Sequence, residues 1–89
     1  MTILESTSTA RPTRAEYEEI ASWMVDEVRR RGRVSLAEFV EALAGRDGGR
    51  WLNPERPHAL DDRLLATFRR AHAGTIRWVQ SGQYWATIA

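Results

Sequence analysis

Arg63, Arg69 and Arg70 stand on one face of a helix expected over residues 62–73, with Ala66 allowing close approach and Thr67 on the edge. This set has the chemistry to grip double-stranded DNA. A guanidinium pairs bidentately with guanine in the major groove, and further arginines add phosphate contacts. Arg11 and Arg14, on an N-terminal arm, have the reach to enter a minor groove. The plainer reading is a solvated helix face whose cations sit near the C-terminus, where the helix dipole favours them. Two features weigh against base reading. Asp61 and Asp62 occupy the end of the helix that usually approaches bases. The connection across residues 45–60 also exceeds the usual 3–4-residue turn of a helix-turn-helix by roughly a dozen residues.

Two other clusters suit a protein partner. Arg29, Arg30, Arg31 and Arg33 form the densest positive charge and would fit a phosphate or an acidic surface. Complementarity to a helix C-terminus explains them as well. In the terminal aromatic segment, pairing about Ser81-Gly82 sets Trp78 opposite Trp85 and Val79 opposite Tyr84. One face must cover the core, and Tyr84 on an exposed face would suit a partner, since Trp and Tyr are common hot-spot residues. Trp51 reads first as a loop anchor and second as a partner contact.

Catalytic chemistry finds little support. There is no Cys, and His58 and His72 lie fourteen positions apart. No metal site is therefore expected. His72 flanks an apolar stripe and reads as a half-buried structural histidine. No Gly-x-Ser-x-Gly elbow is present. The Gly45-Arg46-Asp47-Gly48-Gly49-Arg50 run lacks the Gly-Lys-Ser/Thr ending of a phosphate loop. Glu16, Glu18 and Glu19 read as a solvated helix start. The expectation is a binding module with no cofactor, not an enzyme.

These residues need elements to position them. Thr13-Arg14-Ala15-Glu16 fits a capping box and opens a helix over 14–31. Tyr17, Ile20, Ala21, Met24, Val25 and Val28 recur on one side of it, and Gly32 stops it. Arg33-Val34 reads as a very short strand. Ser35-Leu36-Ala37-Glu38 is a second capping box, opening a helix over 36–44 whose Leu36, Phe39, Val40 and Leu43 face inward. Residues 51–60 read as a small hairpin or an extended loop. Asp61 caps the third helix, from which Leu64, Leu65, Phe68 and Ala71 point inward, and Gly74 ends it. Ser81-Gly82 then joins two β-rich runs into a hairpin over 75–88, because tight hairpin turns need positive φ. Residues 1–12, rich in Ser and Thr, read as a flexible arm ahead of a single domain over 13–89.

The chain's 89 residues make one domain with a modest core. Its 13 basic residues, all Arg, nearly balance 12 acidic ones for a formal net charge of +1. That balance argues against a binder dominated by electrostatics, though not against local patches. No secretory signal or membrane-length apolar run is visible, so a cytoplasmic protein is expected, with no membrane contact.

Three helices followed by a hairpin is the order of a winged-helix domain, an α+β fold. Residues Ile20-Ala21-Ser22-Trp23-Met24-Val25, Leu65-Ala66-Thr67-Phe68-Arg69-Arg70, and Ile76-Arg77-Trp78 through Gly82-Gln83-Tyr84-Trp85 resemble a small, uncharacterised bacterial winged-helix-like family. Its marks are a W-M pair in helix one and a terminal W…G…Y-W hairpin. The resemblance covers roughly residues 18–86 and implies a fold rather than an activity. Where members carry basic residues after the final Trp, this chain has Ala86-Thr87-Ile88. The function expected is a small DNA-binding, transcriptional-regulator-like protein, a homodimer if it reads two half-sites. The alternative is a protein-interaction module, such as an adaptor or phage-type inhibitor, that uses the aromatic hairpin or the arginine cluster.

Overall fold

The computed structural model describes residues 12–88. The chain runs α1 (Arg14–Arg31), β1 (Arg33–Ser35), α2 (Leu36–Ala44), a 3-10 turn (Asp47–Gly49), β2 (Leu52–Asn53), β3 (Arg56–Leu60), α3 (Asp62–Ala71), β4 (Ile76–Val79) and β5 (Tyr84–Thr87). It is a small α+β domain of three helices and antiparallel strands. The arm expected over residues 1–12, Arg11 included, lies outside the described residues apart from Pro12. None of the helices described is long and apolar enough to cross a membrane.

Both capping boxes form. Thr13 and Ser35 each accept an amide hydrogen three residues on, and Glu16 and Glu38 reach back to the cap amides at 2.8 Å. Those hydrogen bonds satisfy amides that the first turn of a helix leaves without partners. After α1 the chain must reverse at once into β1. Gly32 does this at φ 88°, a region costly for a residue with a Cβ. All six stripe residues of α1 are buried.

β5 is the central strand of a three-stranded sheet, flanked by β1 and β4. Trp78 pairs with Trp85 and Val79 with Tyr84, the register that the aromatic spacing predicts. The turn itself differs from expectation. Its left-handed residue is Gln83 at φ 52°, not Gly82, and Gln83 N–H donates to the Gln80 carbonyl at 3.3 Å. The link is therefore the four residues 80–83. Gly82 is required for space instead, since a Cβ there would lie 2.5 Å from the Tyr84 ring.

The core is an aromatic chain. Trp23 meets Phe39, and Phe39 meets both Phe68 and Trp85, all edge-on or tilted at 5.7–5.9 Å. Phe68 touches Trp85 at 5.2 Å and His72 at 4.5 Å. α3 ends at Ala71 with His72 as its cap, two residues before its expected end. Ala71 is exposed rather than inward, and His72 takes the buried place, 8% exposed. Positions 64, 68 and 72 follow the four-residue row of a helix face, and Ala71 falls beside that row.

Residues 51–60 form the hairpin β2–β3, and Trp51 anchors it. Trp51 is 1% exposed, stands edge-on to Tyr17 at 5.5 Å, and donates Nε1–H to Asp47 Oδ2 at 2.8 Å. Its carbonyl accepts from Asp61 N–H at 2.9 Å. A side chain so enclosed offers no surface to a partner, which removes Trp51 from the partner-binding set and leaves it as the loop anchor.

Candidate nucleic-acid interface

Asp61 begins α3 by accepting from the Arg63 and Leu64 amides at 3.0 and 3.2 Å. Leu64 and Phe68 are buried against α1 and the sheet, which fixes the helix rotation. Arg63, Ala66, Thr67 and Arg70 are then carried to the side of α3 that meets the start of α1. With Pro12, Arg14 and Tyr17 they line an open cleft of about 340 Å³. Three guanidinium side chains thus share one concave surface.

Their pairing differs. Among the described residues Arg63 and Arg70 make no ion pair. Arg14 bonds Glu18 at 3.2 Å, with both side chains more than half exposed, so the contact is weak and readily exchanged for a phosphate. Thr67 is committed locally. Its hydroxyl donates to the Arg63 carbonyl at 2.8 Å and accepts a long hydrogen bond, 3.4 Å, from Arg70. It orients Arg70 and has no proton left for a base edge.

The other candidates fall elsewhere. Arg69 lies on the opposite flank of α3, in a groove beside Leu65, Trp78 and Trp85. The Arg29–Arg33 cluster sits at the far end of α1, and two of its four arginines are paired with carboxylates. Arg30 bonds Glu27 at 2.7 Å, and Arg31 bonds Glu38 at 2.5 Å with Glu27 4.0 Å away. Glu38 is held below the ordinary glutamate range, first by the Ser35 amide and then by Arg31. Arg33 lies over the Tyr84 ring, 5.0 Å from its centre, so these two members of the partner-binding set do meet. Arg31, Arg33, Ser35, Glu38, Gly82 and Tyr84 line an open cleft of about 570 Å³.

Two features at the start of α1 escape a reading by periodicity. Tyr17 scores as a core residue, yet it also walls the cleft. Glu16 reads as solvated, yet it accepts from Arg50 at 3.0 Å and ties the segment before Trp51 to α1. Its pKa is lowered, first by the Thr13 amide and also by Arg50. Among the described residues no group of three or more His, Cys, Asp or Glu side chains could hold a metal ion.

A family of unknown function, DUF6953, matches residues 16–87, and the chain belongs to it. No curated protein and no solved structure matches the chain.

Proposed function

We propose that the chain is a non-enzymatic, bacterial DNA-binding domain of winged-helix type that holds the duplex by its phosphates along α3 and the start of α1. One observation carries this reading. Arg14, Arg63 and Arg70 converge on one concave surface, and two of them have no carboxylate partner among the described residues. The element order supports it in part: β1 stands between α1 and α2 and the hairpin β4–β5 follows α3 in the place of a wing, while a 3-10 turn and the extra hairpin β2–β3 separate α2 from α3.

The local chemistry defines the contact. Asp62 is exposed at the start of α3 and repels phosphate there, while Asp61 is spent on capping. The grip therefore shifts toward Arg63 and Arg70. Arg69, on the other flank, stands apart from this surface. Thr67 acts through Arg70 and positions it. The hairpin tip, Gln80-Ser81-Gly82-Gln83, is neutral and adds hydrogen bonds rather than charge. The domain thus holds DNA with modest affinity and little base discrimination.

Fluorescence anisotropy with a mixed-sequence duplex tests this. Three phosphate contacts give a slope of log K against log salt of about −3, and each Arg→Ala change at 63 or 70 flattens it by about one. Absence of binding at low salt, or a slope untouched by the double variant, refutes the proposal.

A second reading rests on Arg33 and Tyr84. An arginine stacked on an aromatic ring beside the hairpin tip is a common element of protein interfaces. On that reading Arg29, Arg30, Arg31, Arg33 and Tyr84 meet an acidic protein partner. Co-purification from the host that is lost in Arg33→Ala, with no DNA affinity, is its expected outcome.

A further inference from the structure

Leu36 of α2, Leu65 and Phe68 of α3, and Trp78 and Trp85 of the hairpin form the apolar walls of a groove of about 420 Å³. It lies across α3 from the cationic cleft. Phe68 and Trp85 meet edge-on, and Trp78 leans on Trp85 at 4.5 Å. Trp78 is 38% exposed, one of two large apolar side chains so placed among the described residues. It is nevertheless pinned: its Nε1–H donates to Gln80 Oε1 at 2.7 Å. A rigid aromatic face held toward water is a surface that a ligand ring can cover without ordering it first.

One exposed cation completes the lining. Arg69 makes no ion pair among the described residues. His72, behind Phe68, is the other polar residue. Burial lowers its pKa, with a smaller contribution from Arg69, so it stays neutral at physiological pH. The groove therefore pairs an aromatic wall with a single positive charge.

We propose that this groove binds a small planar aromatic carboxylate, its ring against Trp78 and the half-buried Leu65 and its carboxylate on Arg69. The volume is that of a small-molecule site, which is mostly apolar with one or two polar groups to orient the ligand. The guanidinium fork matches a carboxylate in two parallel hydrogen bonds. A second copy of the chain is a poorer occupant. A stable interface buries about 800 Å² on each partner, and the large apolar side chains exposed among the described residues are Trp78 and Ile88 alone. The proposal does not depend on DNA binding.

Two-dimensional amide NMR of the full 15N-labelled chain, titrated with 2-naphthoate and separately with neutral 2-naphthamide, tests it. The expected result is a saturable shift of the Trp78 and Trp85 indole signals and the Leu65 and Arg69 amides, with the carboxylate the tighter ligand. Arg69→Ala, at an exposed position, should weaken the carboxylate by at least about tenfold and leave the amide unchanged. Trp78→Ala should weaken both. The proposal is overturned if no saturable shift develops by millimolar ligand. Shifts that centre on Arg63 and Arg70, or equal loss of both ligands in Arg69→Ala, overturn it too. So do Trp78 shifts that track protein concentration without ligand, because a second copy then covers the groove.

Discussion

Replacing Trp51 by Ala separates an anchor from a contact surface, and the structure sets the size of the effect. The indole is enclosed on all sides, edge-on to Tyr17, with Arg50 5.1 Å from its centre. Removing a buried Trp costs about 3–5 kcal/mol, from lost transfer free energy and the cavity left behind. The freed Asp47 carboxylate adds little, since its side chain is 43% exposed and water replaces the indole. A domain of 89 residues has roughly 4–13 kcal/mol of stability in total. Loss of Trp51 therefore consumes a large share of it. With about 4–8 °C of Tm per kcal/mol at this size, the melting temperature should drop by roughly 12–40 °C. Trp51→Phe keeps a ring against Tyr17 and loses mainly the hydrogen bond to Asp47, at about 1–2 kcal/mol. Thermal melts followed by far-UV circular dichroism, with urea unfolding as a check, measure both. A Trp51→Ala protein that melts within a few degrees of the parent would refute the anchor role. It would also reopen the possibility that the 51–60 segment moves to expose this ring.

Other perturbations are as direct. Thr13→Ala and Ser35→Ala each remove one half of a capping box and should cost about 0.5–2 kcal/mol in urea unfolding, additively because they cap different helices. Gly82→Ala drives a methyl into the Tyr84 ring. It should destabilise the hairpin by about 1–3 kcal/mol and disturb the Arg33–Tyr84 stack, seen as a shift of the Tyr84 ring resonances. His72 has a folded-state pKa below its unfolded one, so between those two values the unfolded chain binds more protons. Stability should therefore fall as pH drops through that window, below the usual histidine range, and His72→Gln should remove this limb of the Tm–pH profile. Glu16 and Glu38 have the same sign at lower pH, where protonation breaks their bonds to the cap amides.

The elements that came out of the sequence correctly are those whose causes are local. A capping box spans four residues, and a stripe repeats every three or four. Thr13–Glu16, Ser35–Glu38 and the α1 stripe therefore needed no knowledge of the rest of the chain. The pairing of Trp78 with Trp85 was legible for the same reason, because the two strands lie close together in the chain. Less legible were places where contacts between particular side chains settle the outcome. His72, expected to be half-buried, is buried on the 64–68–72 row with its ring on Phe68, whereas Ala71, expected to point inward, is exposed beside that row. Gly82 was read for its φ, yet it answers to the Tyr84 ring.

The candidate site divides along the same line. Which side chains carry charge, and that Arg63 and Arg70 share one helical face, follows from composition and a period of 3.6 residues, although Arg69, expected on that same face, lies on the opposite flank. That Arg14 and Tyr17 close a cleft with them, while Arg69 turns to an aromatic groove, depends on how α1 and the hairpin pack on either side of α3. Availability of charge was likewise decided in three dimensions. Arg31 is spent on Glu38 and Arg50 on Glu16, pairs seven and thirty-four residues apart, whereas Arg63 and Arg70 meet no carboxylate among the described residues. Local order is written in short-range sterics and hydrogen bonding, and sequence carries it. Which arginine is left free to bind depends on which carboxylates the folded chain brings near it.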